Sequence, residues 1–150
     1  SKAVSSDTLQ SIMTRKVVSV EASAPVKKAI EIMIEKDIGS ILVLDKGKPI
    51  GIITERDITR RSLQPLTSTQ MYDSPVKEIM SHPLITAEPD TPVWKAFEIM
   101  LKNKIRRLPV MDKDKLVGIV TERDLFRWVI RVSYEPDIPE EIKKLLEVIS

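Results

Sequence analysis

Cysteine is absent from this chain and histidine occurs once, at position 82. The first absence excludes disulfides, thiolate catalysis and cysteine-based metal sites, and a single imidazole cannot build a His-rich centre, so no metal is expected. Long apolar runs are missing too. None approaches the roughly 20 residues that span a bilayer, and the opening SKAVSSDTLQ has no apolar core of the signal-peptide kind. A cytoplasmic protein with no membrane partner is the expectation. Nor does one sign of charge dominate: 24 basic and 22 acidic residues are interspersed and sum to +2. That balance does not resemble the basic footprint of a nucleic-acid binder, although Arg60, Arg61, Arg106, Arg107 and Arg127 leave room for a modest basic patch. The sequence also has no P-loop, no Cys or His nucleophile system and no clustered carboxylates, which argues against an enzyme.

What is present is a soluble, globular composition, 42% hydrophobic and 31% charged over 150 residues. Such a length suits one domain or two small units sharing a core. The heptad Gly-Ile-Ile-Thr-Glu-Arg-Asp at 51–57 returns as Gly-Ile-Val-Thr-Glu-Arg-Asp at 118–124, a shift of 67 positions. The same shift lays Ile12-Met13 on Ile79-Met80, Pro25-Val26 on Pro92-Val93 and Ile32-Met33 on Ile99-Met100, with 22 identities in 50 positions and no gap. Two homologous halves follow. The boundaries read as repeats over 9–64 and 75–132, a linker over 65–74, and a C-terminal amphipathic helix over 134–150 with Pro139 at its first turn. That last helix is expected to pack on the core or on a twin chain.

Within each half the hydrophobic period changes in a fixed order. Ile-Met-Thr or Ile-Met-Ser leads into a short extended piece, VVSV or PLIT. A helical pattern follows, with Val26, Ala29, Ile30 and Met33 matched by Val93, Ala96, Phe97 and Met100, each behind a proline. Two strands joined by a short turn, Ile41 to Leu44 and Pro49 to Ile53 in the first half, run into a second helix at the heptad. The unit reads β-α-β-β-α, an α/β (α+β) fold. Copies this small are expected to pair with their sheets packed face to face.

Thr54 and Thr121 stand where strand gives way to helix, and an acid three residues on resembles a capping box, with Asp57 and Asp124 where Glu or Gln is usual. Capping does not explain Gly51 and Gly118, which lie inside apolar strands where glycine is costly unless something approaches the backbone closely. Glycine, hydroxyl and carboxylate converge on one strand end. An ionised carboxylate is acceptor only and suits the two donors of a ribose diol, while the helix N-terminus serves phosphates nearby.

The repeated units, each ending in Gly-apolar-apolar-Thr-x-x-Asp, resemble a tandem pair of CBS (cystathionine β-synthase) domains, a Bateman module of the stand-alone prokaryotic or archaeal type. The likeness covers about residues 9–129 and includes Ile12-Met13-Thr14, Ile79-Met80-Ser81 and Arg107-Leu108-Pro109-Val110. It implies a pseudo-twofold pair, a homodimer, and a non-catalytic module that senses AMP, ADP or ATP in clefts between the repeats and regulates a protein partner that the sequence does not name. S-adenosylmethionine sensing, or a nucleic-acid-associated regulatory role, is the alternative. By the same resemblance Thr54 and Asp57 hold ribose and near phosphate in one cleft, and Thr121 and Asp124 in the other. The opposite repeat is expected to wall each adenine: Ile85, Ile105, Arg106 and Arg107 for the Asp57 cleft, and Val18, Ile38, Gly39 and Ser40 for the Asp124 cleft. Arg106 and Arg107 would neutralise phosphate, making the Asp57 cleft the stronger nucleotide site. Arg56 and Arg123 leave two readings open, exposed surface or phosphate contact. Trp94 and Trp128 could serve core, interface or adenine shelf, with interface preferred because they replace Lys27 and Arg61 of the first half.

Overall fold

A computed structural model describes residues 6–64, 68–82 and 84–149; Pro65 of the expected linker and Pro83 of the expected PLIT strand lie outside them. The chain divides into two compact units, Val17–Leu84 and Ser1–Lys16 with Ile85–Ser150. These units are not the sequence repeats. Each repeat lends its opening segment to the unit built mainly from the other.

In the first unit β1 (Ser19–Glu21), α2 (Val26–Lys36), β2 (Ser40–Asp45), β3 (Lys48–Thr54) and α3 (Glu55–Ser62) follow the order read from the sequence. The sheet order is β1-β2-β3, with β1 parallel to β2 and β2 antiparallel to β3. The parallel pair needs a crossover, and α2 supplies it. Its apolar stripe Val26, Ala29 and Met33 packs with Val20, Ile41, Val43 and Ile53 of the strands. The hairpin turns through Lys46 and Gly47, both at positive φ, the left-handed pair that two-residue hairpin loops require. A one-turn helix, α4 (Ser68–Met71), falls inside the expected linker, and Met71 is buried in this core beside Val76. The segment is therefore partly structural.

The second unit begins with the short α1 (Leu9–Ile12) and resumes with α5 (Val93–Asn103), β4 (Arg107–Asp112), β5 (Lys115–Thr121), α6 (Glu122–Val132) and α7 (Glu140–Ile149). β4 and β5 form an antiparallel pair. The expected PLIT strand is not formed among the described residues; what remains is a single parallel bridge between Ala87 and Val110. Pro109 gives the reason. In the first unit the amide of its counterpart Leu42 donates to the carbonyl of Val18, and proline has no amide to donate, so the ladder loses a rung.

The two second helices also differ. No residue of α3 is buried, whereas α6 buries Leu125, Trp128 and Val132. Trp128 is 1% exposed inside the unit's core, which corrects its expected place at an interface. Trp94 is half-buried on the same core, as are Ile138 and Leu145, and α7 buries Ile142 there. The C-terminal helix thus packs on the core of its own unit. Among the described residues no helix is long and apolar enough to cross a membrane.

Candidate functional site

At the end of β3 the chain passes directly into α3, and Thr54 is the N-cap. Its hydroxyl accepts from the Asp57 amide at 3.1 Å and donates to Asp57 Oδ2 at 3.0 Å, while its own amide donates to the same oxygen at 3.0 Å. Thr121 and Asp124 repeat the arrangement at the start of α6, with the Thr121 amide 2.9 Å from Asp124 Oδ2. Both are complete capping boxes with aspartate as the acid. The box fixes each carboxylate against its strand end, so Oδ1 is left facing away from the cap.

A second hydroxyl meets each carboxylate from the opening segment that the other repeat lends. Ser81 Oγ donates to Asp57 Oδ1 at 2.9 Å, and Thr14 Oγ1 lies 3.4 Å from both oxygens of Asp124. The segments are held by paired backbone bonds: Ser81 with Ile52 at 2.7 and 3.2 Å, and Thr14 with Ile119 at 2.9 Å in each direction. These bridges account for the glycines. A Cβ on Gly51 would stand 2.6 Å from Met80 Sδ and 2.8 Å from the Ser81 carbonyl oxygen, and one on Gly118 would stand 2.7 Å from Met13 Sδ. The close approach expected at both positions is made by the chain itself. Gly51→Ala is expected to cost about 1–3 kcal/mol of stability, the usual range for overpacking, measurable by denaturant unfolding; an unchanged midpoint would contradict the contact.

Sequence reasoning had noted Ile-Met-Ser and Ile-Met-Thr as repeat markers and given their hydroxyls no role. The signal was available, since a hydroxyl residue at the same place in both copies is the second donor to both carboxylates.

The residues before the second strand attach to the cap of their own unit. The Glu55 amide donates to the Gly39 carbonyl at 2.9 Å, and Ser40 stands opposite Thr54 in the β2–β3 register. In the second unit the Glu122 amide donates to the Arg106 carbonyl at 3.2 Å, and Arg107 stands opposite Thr121. Within their own units the arginine pair lies beside the Asp124 motif, and Gly39 and Ser40 beside the Asp57 motif. Arg107 is half-buried, and burial lowers its pKa while the charge of Asp124 raises it. Arg106 Nε lies 3.9 Å from Glu122 Oε1 on the surface, a pair worth little by itself. Val18 and Ile38 are half-buried against the first unit's core, and Ile85 and Ile105 against the second's. Among the described residues no group of three His, Asp or Glu could hold a metal ion.

Known proteins with a similar sequence or fold place the chain in a family. The chain is 38% identical over 134 residues to the uncharacterized protein MK0525 of Methanopyrus kandleri, covering 85% of this chain and 66% of that one. It spans just under two thirds of that relative's length. Among solved structures it is similar to CBSX2 in complex with AMP, at 28% identity and TM-score 0.72 over 85% of this chain and 98% of that one. It is also similar to the CBS domain pair of MJ0100, in complex with 5′-methylthioadenosine and S-adenosyl-L-methionine, at 30% identity and TM-score 0.69 over 80% and 93% of the two chains. The CBS domain itself matches residues 9–64 and again 76–131. With both halves of the repeat matched in this way, the chain belongs to the CBS domain family, as a tandem pair.

Proposed function

We propose that the chain is a non-catalytic regulatory module that binds an adenosine nucleotide, AMP before ADP or ATP, with Asp57 and Asp124 as the ribose acceptors. The observation that carries this reading is the doubled arrangement of a capped carboxylate flanked by a second hydroxyl, Thr54-Asp57-Ser81 and Thr121-Asp124-Thr14. An aspartate held in this way is already oriented, and it keeps an acceptor site on Oδ1 for a ribose hydroxyl. Support comes from CBSX2, crystallised with AMP, and from the MJ0100 pair, crystallised with two adenosine compounds. Arg106 and Arg107 are offered to phosphate beside Asp124, and Val18, Ile38, Gly39, Ile85 and Ile105 to the adenine rings. The working state is a cytoplasmic homodimer that acts on a protein partner.

Thermal melting with adenosine, AMP, ADP, ATP, 5′-methylthioadenosine and S-adenosylmethionine tests the reading. A ligand at a hundredfold excess over its dissociation constant adds about 2.7 kcal/mol to stability, with AMP expected to act at the lowest concentration. Indifference to all six compounds would overturn the proposal.

A further inference from the structure

The two units differ sharply at one pair of equivalent positions. Trp128, on the inner face of α6, fills its place with an indole that is 1% exposed. The residue 67 positions earlier is Arg61, on α3. Beside it, wholly within the first unit, lies an open cavity of about 320 Å³, at the lower end of the range for small-molecule sites. Arg60, Arg61 and His82 line it, together with Glu78, Ser81 and Asp57. Among the described residues neither arginine side chain has an ion-pair or hydrogen-bond partner.

We propose that this cavity receives one phosphate group of the nucleotide whose ribose is held at Asp57. The inference rests on the adenosine reading of that motif. Asp57 and Ser81 belong to both the motif and the cavity wall, so a ligand that engages the carboxylate has its 5′ substituent within reach of α3. Two guanidiniums with no protein partner supply forked donors that match phosphate oxygens. The charge balance limits how much phosphate they accept. Asp57 already takes three donors and is turned to the ribose, which leaves Glu78 as the free acid opposing Arg60 and Arg61. The two arginines carry +2, enough to offset a single phosphate of about −1.5 to −2 at neutral pH before the opposing Glu78 is counted; a triphosphate exceeds them. In the second unit the equivalent residue is the buried Trp128, which offers no charge to a phosphate.

Calorimetry in an Asp124→Ala background isolates the Asp57 motif. AMP is expected to bind about tenfold to hundredfold more tightly than adenosine, the gain of hydrogen bonds to a charged group, and ATP no more tightly than AMP. Arg61→Trp places the bulk of the equivalent Trp128 beside the cavity, and Arg61→Gln removes the charge while keeping a polar side chain. Both should bring AMP towards the affinity of adenosine, by several-fold or more, and leave adenosine itself unchanged. Equal binding of AMP and adenosine in the parent, or equal losses of both ligands in the Arg61 variants, would overturn the cavity's role while leaving the adenosine reading intact. Tighter binding of S-adenosylmethionine than of AMP would overturn it in favour of a zwitterion. Pyrophosphate binding as tightly as AMP would overturn it in favour of a free-anion site. Failure of adenosine, AMP and ATP alike would overturn the adenosine reading and this inference with it.

Discussion

Replacing Trp128 with alanine is expected to destabilise the protein by about 3–5 kcal/mol, the range for deleting a buried aromatic side chain. The indole is almost fully enclosed, in a core that includes Leu9, Phe97, Leu125, Val132 and Ile142. Three of those come from elements far apart in sequence, α1, α5 and α7, so no short stretch of chain can collapse into the void. Urea unfolding should show a lower midpoint with the slope nearly unchanged, because the folded state loses packing rather than compactness. Arg61→Ala provides the internal control. It occupies the equivalent place beside an open cavity, and its loss should stay within about 0.5 kcal/mol. Comparable losses at the two positions would mean that the units are filled alike, contrary to the burial of one and the openness beside the other.

Asp57→Ala and Asp124→Ala are expected to have the largest effect on ligand binding. Each removes an ionised acceptor for a ribose hydroxyl, and a hydrogen bond to a charged group is worth about 1.5–3 kcal/mol, so a loss of about tenfold to hundredfold in affinity is expected at the altered motif. The fold also loses the bonds the carboxylate accepts, from the Thr54 amide, the Thr54 hydroxyl and Ser81 in the case of Asp57, so a cost in stability of about 1–3 kcal/mol is expected. Calorimetry with AMP separates the two motifs, and the larger loss is expected from Asp57→Ala. Equal losses would make the motifs equivalent, and unchanged affinity in both variants would remove the carboxylates from the site.

The same carboxylates show which parts of the molecule the sequence discloses. Thr54 and Asp57 are three residues apart, and capping is a local interaction, so the pattern of types announces the geometry. The helices α2 and α5 are equally plain, since their buried faces recur at i, i+3, i+4 and i+7. Interactions that cross between elements are less visible. The strand expected at PLIT fails through Pro109, a residue on a different strand. The buried Trp128 does sit in phase with Leu125 and Val132, but comparison with Arg61 at the equivalent position argued for an interface. The place of Arg107 opposite Thr121 is legible, since a hairpin centred on Lys113 and Asp114 carries it there. The pairing of Thr14 with Asp124, 110 residues apart, had only the shared hydroxyl to indicate it.

The exchange of opening segments decides what counts as a separable piece of this chain. A fragment holding only residues 9–64 would keep the Thr54-Asp57 cap but lose Ser81, its second donor, and would leave the Ile52 backbone without the partner that lies close against Gly51. It would also carry Ile12-Met13-Thr14 as an arm with nothing of its own to dock on. An arm without a berth beside a berth without an arm is the arrangement from which strand swapping between molecules arises. Although gene duplication wrote the unit twice, the smallest piece that satisfies its own backbone is the pair.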